Sequence, residues 1–428
     1  MLKNKRNLLM ILLSSLIMAS PACAAVDTGD TAWLMTSTML VLMMIPGLAF
    51  FYAGLVARKN VVSTLYQNII PLGVVGVLWV LVGFSLAFSG GNAFIGDLNL
   101  MMFSGVTGEP DGTATIPYIL FAMFQMMFAI ITPALMSGAV AGRIKFSAWI
   151  LIVALWSLIV YTPVAHWVWG STGWLFNMGA LDFAGGYVVH ITAGFSALVL
   201  AALIGHGENF GKAHKPYNIG MVLLGTGLLF CGWFGFNAGS ALGSNGLASV
   251  ALANTFIAAV VTMLVWTYID AVTDGKPTLV GACVGIVAGL VVITPAAGYV
   301  TAGSAVLFGI SSAIICNLTA RFVKNKLKID DTLDVFACHG ISGVVGSVLT
   351  GVFATNSVNP AVTNNGLLMG GGTDLFFTNI TATVSVALYA AIATFIIFKI
   401  VNAICPVRIS AEDEKKGLDI SQHNEEIS

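Results

Sequence analysis

The chain has 428 residues, of which 57% are hydrophobic and only 9% are charged, and its formal net charge is -1. Soluble domains carry about 25% charged residues, so this composition excludes a soluble globular protein and indicates a polytopic membrane protein. The near-neutral balance also lacks the basic excess of a nucleic-acid-binding protein.

The first 24 residues are predicted to be a signal peptide. Three basic residues precede an apolar run over 8–18, and the small-residue motif ACA follows at 22–24. This order is typical of a secretory signal, with cleavage after Ala24. The alternative is a retained anchor helix. The five cysteines beyond this segment contain no C-x-x-C pair, so neither a disulfide framework nor a metal site is indicated, and we expect no cofactor.

Eleven apolar segments of the mature chain are long enough to cross a bilayer as helices. They are 32–56, 64–88, 118–139, 147–166, 186–205, 218–238, 250–271, 279–295, 303–320, 335–355 and 377–403. The predicted fold is therefore an all-α membrane domain over 25–403 with eleven transmembrane helices. A polar tail, 404–428, follows it and is expected to be either disordered or docked on its own side of the membrane.

Lys and Arg residues occur only at alternate ends of these segments. Basic residues follow the odd-numbered segments, whereas five intervening loops contain no Lys or Arg: 89–117, 167–185, 239–249, 296–302 and 356–376. Because basic loops stay in the cytoplasm, the mature N-terminus is predicted to lie outside and the tail inside. The expected location is the inner membrane of the cell.

Matching motifs five segments apart indicate an internal repeat. The first segment contains FYAG and the sixth contains FNAG. The fifth and tenth each contain a histidine and a glycine four residues beyond it, and each is preceded by an aspartate: Asp182, His190 and Gly194, and Asp334, His339 and Gly343. An odd number of helices per half reverses their orientation, so we predict a 5+5 inverted repeat followed by one long final helix.

His190 and His339 lie early in two helices that enter the membrane from opposite sides. A polar ring in a membrane span is unfavourable and usually faces a cavity or a partner, although a histidine satisfied within the helix bundle is the alternative. At about 1.5 Å per residue, side chains at this depth can meet near the midplane. Two such imidazoles would form a neutral polar line that lets a small polar molecule pass.

Aromatic and hydroxyl side chains lie at the predicted outer ends of three helices. Phe124 and Phe128 are four residues apart, Trp169 follows the fourth segment, and Ser240 ends the sixth. Each aromatic residue alone is explained by the membrane interface or the core. Together they could form a cation–π cage for a small organic-type cation, unlike the oxygen ligands of a hard metal ion. Asp182 either caps the fifth helix or supplies a buried negative charge near this mouth.

From about residue 30 to about residue 423 the chain resembles the ammonium transporter family (Amt/Mep/Rh), especially its bacterial Amt branch. The motifs that carry the resemblance are PGLAFFYAGLVARKN, ALDFAGGYVVHITAG, GWFGFNAGSAL, the stretch from Asp330-Asp331 through DVFACHGISG, and GLDISQH. The resemblance implies a homotrimer of eleven-helix subunits, each with its own pore. The substrate would be ammonium or ammonia, with methylammonium as an analogue.

The resemblance also implies roles for individual residues. From the outside inward, these are a recruitment site of Phe124, Phe128, Trp169 and Ser240, a stacked gate of Phe128 and Phe236, a pore pair of His190 and His339, and a supporting carboxylate, Asp182.

Two departures from the family pattern concern cytoplasmic regulation. Gly142 stands where many relatives have a glutamate, and the tail keeps Gly417-Leu418-Asp419 and His423 but ends in NEEIS. The resemblance implies a possible PII-type regulatory protein as partner at this face. The departures lead us to expect weaker tail-dependent control than in closer relatives.

The predicted function is transport of ammonium or ammonia into the cell, and the protein is not expected to be an enzyme. One alternative is an ammonium sensor that signals through its cytoplasmic face. A second is a redox enzyme with His190 and His339 as haem ligands, but closely stacked imidazoles would leave no room for a porphyrin. The sequence is compatible with NH₃ alone, NH₃ with a separately routed proton, or NH₄⁺ as the net species.

Overall fold

A computed structural model describes residues 25–212 and 215–427. The predicted signal peptide, 1–24, lies outside the described residues. The described part of the chain is helical, with isolated β-bridges and no strand.

Ten helices in the described residues are long and apolar enough to cross a membrane. They are α1 (Thr28–Leu55), α2 (Arg58–Phe88), α3 (Tyr118–Val140), α4 (Phe146–Asn177), α5 (Gly186–Ile204), α6 (Ile219–Ala238), α7 (Gly246–Thr273), α9 (Ala302–Leu327), α10 (Phe336–Phe353) and α11 (Asp374–Ile404). A shorter apolar helix, α8 (Leu279–Ile293), has 15 residues. The tail adds α12 (Ala411–Lys416).

Each predicted segment overlaps one of these helices, and the main differences are at three ends. Helix α9 continues to Leu327 rather than ending at 320. Helix α2 begins at Arg58 rather than at 64, because a 3₁₀ turn of polar residues, Arg58–Asn60, precedes its apolar part. Helix α4 ends at Asn177 rather than at 166, because a final turn, Trp174–Asn177, follows a short break. Hydropathy does not reveal such polar or interrupted turns.

The helices expose large apolar side chains on the rim of the bundle. Met39, Leu264, Leu318, Leu388 and Ile392 are each more than half exposed. Apolar patches of this kind are rare on soluble monomers but match the hydrocarbon of a bilayer. The exposed apolar rim and the ten long apolar helices therefore describe a multi-pass membrane protein.

Helices α5 and α10 cross in backbone-to-backbone contact. A Cβ atom added at Gly194 would lie 2.1 Å from the backbone nitrogen of Gly340, so no side chain fits there. A Cβ added at Gly343 would lie 3.1 Å from the carbonyl oxygen of Gly186 and from Cβ of His190. In each helix, therefore, the glycine four residues after the histidine contacts the other helix beside its histidine. The two halves of the crossing make reciprocal contacts.

Both crossing helices begin with a π-helical turn. The turns span Gly186–Ile191 in α5 and Phe336–Ile341 in α10, and each contains a histidine. A π turn changes the angular spacing of side chains locally and is frequent at functional sites. The turn therefore helps to set the direction in which each imidazole points.

The tail is docked rather than extended. It packs on the face that carries Lys59, Arg143, Lys212 and Lys328, here called the basic face. Of the two alternatives predicted for the tail, disordered or docked, the structure has the docked one.

Three contacts hold the tail there. Asp419 accepts a hydrogen bond from the Ser63 backbone N–H at 2.8 Å. Lys59 Nζ donates to the carbonyl oxygen of Glu414 at 2.7 Å, and the Glu414 carboxylate accepts from the Glu208 backbone N–H at 2.8 Å. Because Asp419 and Glu414 are buried, these bonds satisfy polar groups that would otherwise lack partners.

We predict that Gly194→Ala destabilises the protein, because the new methyl group overlaps the Gly340 backbone. The expected loss is about 1–3 kcal/mol, the usual range for overpacking. The matched control is Gly73→Ala within α2, where an added Cβ meets nothing within 4 Å. Thermal unfolding of the purified protein, followed by size-exclusion chromatography, measures the difference. Equal unfolding temperatures for the two variants would contradict the close crossing.

Candidate functional site

The structure brings His190 and His339 together where α5 and α10 cross. Their Nδ1 atoms are 3.3 Å apart and their ring planes differ by 27°. Both side chains are buried, with 1% and 3% exposure. Facing nitrogens can form a hydrogen bond only if one carries a proton and the other does not. The contact therefore fits two neutral imidazoles of opposite tautomer at this position.

A narrow cavity of about 10 Å³ lies beside the two imidazoles. Its remaining lining is mostly apolar and includes Tyr52, whose hydroxyl donates to the Leu135 carbonyl oxygen at 3.0 Å. His190 Nε2 has no hydrogen-bond partner among the described residues. The histidines are therefore the polar groups that can contact a molecule entering this space, which is about the size of one water molecule.

Trp233 was not predicted as a site residue, but its ring packs directly on His190. The two ring centroids are 5.6 Å apart and nearly parallel, with an interplanar angle of 18°. The Trp233 indole N–H donates to the Thr294 hydroxyl at 3.0 Å. The sequence did contain a signal for Trp233 as a site residue, because it lies three residues before Phe236 in the motif GWFGFNAG. Trp233 thus helps to fix the orientation of the His190 ring.

Aromatic rings from three helices meet next to the histidine pair. Phe128 of α3 and Phe236 of α6 have ring centroids 4.2 Å apart, and each side chain is 1% exposed. Phe124 lies 5.0 Å and Trp169 lies 6.1 Å from the Phe128 ring. The Phe236 ring is also 6.0 Å from His190. The rings thus form a continuous apolar column that ends on the imidazoles.

Ser240 is half-buried at the end of α6. Its hydroxyl donates to the Phe236 carbonyl oxygen at 2.8 Å, so that bond lies within its own helix. The preceding Gly239 packs closely on the Phe124 ring. Ser240 is therefore beside the aromatic column, with its oxygen lone pairs available to a donor.

Asp182 caps the N-terminus of α5. Its buried carboxylate accepts hydrogen bonds from the backbone N–H groups of Gly185, Gly186, Tyr187 and Val188 at 2.6–3.3 Å. Burial raises the pKa of the Asp182 carboxyl, and the four N–H groups oppose this rise. The geometry is that of the structural cap, one of the two predicted alternatives.

The Asp182 backbone also contacts the aromatic column. Its carbonyl oxygen accepts a hydrogen bond from the Trp169 indole at 3.0 Å. The cap of α5 and the orientation of Trp169 are therefore coupled through one residue.

The predicted repeat matched Asp182 with the wrong aspartate. The counterpart in α10 is Asp331, which accepts from the Val335 and Phe336 N–H groups at 3.1 and 2.7 Å. Asp182 and Asp331 each precede their histidine by eight residues. Asp334 instead adopts a positive φ of 58° and pairs with Lys324 at 2.7 Å. Burial and the nearby Asp334 raise the pKa of Asp331 to about 6.

In the part of the chain that the structure describes, no group of three or more His, Cys, Asp or Glu residues could hold a metal ion. The site instead combines an aromatic column, a paired set of imidazoles and a cavity about one small molecule wide. Together with the helical bundle, these features define a membrane transporter with a narrow, mostly apolar passage.

Comparison with known proteins gives the family. The sequence model of the Ammonium Transporter Family matches residues 32–427, and the chain belongs to this family. It is 45% identical to the ammonium transporter of Bacillus subtilis (strain 168) over 398 residues, which cover 93% of this chain and 98% of that protein.

Two solved structures extend the comparison. The crystal structure of Saccharomyces cerevisiae Mep2 is 37% identical, with a TM-score of 0.84 over 90% of this chain and 88% of that one. A structure described as "Sensor Amt Protein" is 26% identical, with a TM-score of 0.85 over 92% and 98% of the two chains.

The protein is therefore an ammonium transporter and not an enzyme. The family and the transport function predicted from the motifs are confirmed.

Proposed function

We propose that ammonium enters from the face opposite the basic face and leaves at the basic face through the aromatic column and the histidine pair. The observation that carries this proposal is the 3.3 Å contact between His190 and His339 beside an apolar cavity. A neutral polar pair in an apolar passage favours a small uncharged molecule over a metal cation at this point. The uncharged form of the substrate is thus expected to pass the pair.

We propose that all eleven apolar helices cross the membrane as a 5+5 inverted repeat plus α11. The reciprocal glycine contacts of α5 and α10 support two halves of opposite orientation. Helix α8 alone spans about 22 Å, less than a hydrocarbon core of about 30 Å. The buried turn that follows it, including Thr294, Ala297 and Val300, extends the crossing.

The proposed orientation in the membrane follows from the distribution of Lys and Arg among the loops. Because basic loops stay in the cytoplasm, we propose that the basic face is cytoplasmic and the mature N-terminus outside. The proposed location is the inner membrane. In this arrangement residues 1–24 are the signal peptide, 25–403 the membrane domain and 404–428 the regulatory tail.

Phe124, Phe128, Trp169 and Ser240 form the proposed recruitment site at the outer mouth. Aromatic faces attract a cation, and a hydroxyl oxygen accepts one of its hydrogen bonds. The ring distances of 5.0 and 6.1 Å around Phe128 support a shared site. Asp182 supports it by capping α5 and accepting the Trp169 indole N–H.

Phe128 and Phe236 form the proposed gate. Their rings are 4.2 Å apart and fill the column between Trp169 and His190, so at least one ring must rotate for a molecule to pass. The π-helical turn Phe234–Ala238, which contains Phe236, provides a locally irregular backbone for that movement.

The assembly is proposed to be a homotrimer with one pore in each subunit, in line with the family resemblance. On the basic face, a cavity of about 580 Å³ is lined by Lys59, Arg143, Glu414 and the loop residues Gly207–Lys212. A PII-type protein that inserts into this cavity would block the inner mouth. The likeness to a sensor protein leaves sensing as the second candidate function, with this same face as its output.

We predict that Trp169→Leu and Ser240→Ala each weaken uptake at low substrate. Loss of one aromatic face removes roughly 0.5–2 kcal/mol of cation attraction. Uptake of labelled methylammonium at low concentration should fall several-fold and recover in part at high concentration. Ser249→Ala is the matched control, because Ser249 makes the same kind of bond to a carbonyl four residues earlier at an exposed site. Unchanged low-concentration uptake in both variants would argue against the recruitment site.

We predict that His190→Ala and His339→Ala each abolish one of two properties of the transporter. These are the charge movement coupled to ammonium transport and the selectivity for ammonium over K⁺. Either change opens the passage and removes the hydrogen-bonded pair. Currents recorded from reconstituted protein, with ammonium and then K⁺, measure both properties. His206→Ala on the exposed loop of the basic face is the control. Wild-type currents and selectivity in both pore variants would mean that the pair is purely structural.

We predict that deletion of 409–428 reduces transport several-fold without abolishing it. The deletion removes the partners of Lys59, Arg408 and the Ser63 N–H, so the inner mouth loses its support. Uptake per molecule in the membrane is the measurement, and Glu426→Gln is the control. Complete loss of uptake at normal membrane levels would show that the tail is required for the open state.

In the protein without residues 409–428, an added PII-type protein should still inhibit transport, because it would contact the loop Gly207–Lys212.

A further inference from the structure

His166 is a fully buried histidine in α4 to which none of the proposed transport roles applies. Its exposure is 0%. Its Nδ1 atom lies 3.0 Å from the carbonyl oxygen of Ala87, at the end of α2. Its Nε2 atom lies 2.7 Å from the carbonyl oxygen of Asn92, in the following loop, and 3.2 Å from the Thr172 hydroxyl. The ring thus joins three separate parts of the chain.

Both ring nitrogens face hydrogen-bond acceptors. Carbonyl oxygens can only accept, and the Thr172 hydroxyl donates its one hydrogen to the Gly90 carbonyl oxygen at 2.6 Å. A neutral imidazole has one N–H group, so one of its nitrogens would direct a lone pair at a carbonyl oxygen. A doubly protonated ring donates from both nitrogens and satisfies every contact.

The backbone is wrapped closely around this ring. A Cβ atom added at Gly170 would lie 2.8 Å from His166 Nδ1, and one added at Gly173 would lie 2.0 Å from the His166 carbonyl oxygen. The turn that begins at Gly170 directly follows Trp169. The indole of Trp169 is held on its other side by the carbonyl oxygen of Asp182 at 3.0 Å. A displacement of the His166 ring would therefore move the segment that carries Trp169.

Within the described chain, the hydrogen-bonding contacts of the His166 ring include no carboxylate or basic side chain. The charged or titratable groups on the elements packed around it do not bond to the ring. Asp97 in the outer loop binds Asn99, and Asp182 binds the N-terminus of α5. His190 faces His339, and the hydroxyl of Tyr161 in α4 itself has no hydrogen-bond partner among the described residues. The contacts of the ring are thus backbone carbonyls and one hydroxyl.

We propose that His166 is a positioning residue that binds a proton and, through that proton, holds Trp169 in the recruitment site. This inference rests on the proposed role of Trp169. When the ring loses its second proton, one nitrogen repels its carbonyl partner, and the turn after Trp169 loosens. Recruitment of ammonium then weakens, whereas the gate and the histidine pair are unchanged. The transporter therefore senses the pH on the side of its recruitment site.

The test uses full-length protein in proteoliposomes and labelled methylammonium. The outside pH is varied from about 5 to about 8, the range in which histidines commonly titrate, at a constant concentration of protonated substrate. In the wild type the apparent KM should rise several-fold toward alkaline pH with an unchanged maximal rate. His166→Gln, which cannot donate from both positions to carbonyls, should show a raised KM that no longer depends on pH. His206→Gln is the matched control and should behave like the wild type.

Protonation is read independently by ¹⁵N NMR of protein labelled at its six histidines. At acidic pH, one of the signals from rings protonated at both nitrogens should vanish in His166→Gln and remain in His206→Gln. If that variant does not fold, Thr172→Val identifies the signal, because it changes one contact of Nε2 and leaves the carbonyls in place. A singly protonated His166 at acidic and neutral pH would overturn the proposal.

The recruitment site and the role of His166 are tested separately. If Trp169→Leu has a wild-type KM, the recruitment site itself is wrong, whatever His166 does. If Trp169→Leu raises the KM while His166→Gln keeps the wild-type pH profile, only the role of His166 is wrong. If the His166 ring is doubly protonated but His166→Gln leaves the KM unchanged, the positioning role is also wrong.

Discussion

The structure depends on one constraint: inside hydrocarbon, each polar group must find its partner within the protein. Asp182 meets this constraint by accepting four backbone N–H groups, and Asp331 does the same with two. Threonines within the helices donate to carbonyls four residues earlier, as Thr132 does to Phe128 at 2.6 Å. Several buried polar atoms of the described chain lack a partner, and the Nε2 atom of His190 is the one whose residue lines the cavity beside the histidine pair. An unpartnered nitrogen beside a cavity is what a transported molecule with hydrogen-bonding capacity requires.

The proposed transport path separates attraction of the substrate from its conduction. At the proposed outer end, aromatic faces and a hydroxyl suit a cation, because the ring quadrupole attracts positive charge. Farther in, closely packed phenylalanine rings and neutral imidazoles offer no negative charge to offset the desolvation of a cation. The same substrate therefore meets two environments with opposite preferences, only 6.0 Å apart between the rings of Phe236 and His190. A molecule that can exchange a proton is suited to both, whereas a metal cation is suited to neither.

Much of this architecture is readable from the sequence, and the failures have physical causes. Long apolar segments locate the helices because burial in lipid requires them, and the paired histidines are visible because polar rings in such segments are unusual. Asp331 was missed because Asp334 is nearer to its histidine, although the eight-residue spacing to Asp182 was available. The contacts of His166 and of the docked tail join residues far apart in the chain, often through backbone atoms. Hydropathy and motif spacing do not indicate such contacts.

The glycine contact between α5 and α10 has a mechanical consequence. Backbone atoms in van der Waals contact cannot be compressed further, and packed protein interiors deform little under load. Lateral pressure from the bilayer acts first on helices with wide exposed apolar surfaces, such as α7, α9 and α11. Those helices can tilt to match a thicker or thinner membrane, while the crossing at Gly194 and Gly340 keeps the imidazoles at a fixed separation. The histidine pair, as the proposed conducting centre, would thus be isolated from changes in bilayer tension and thickness when the lipid composition changes with temperature or growth.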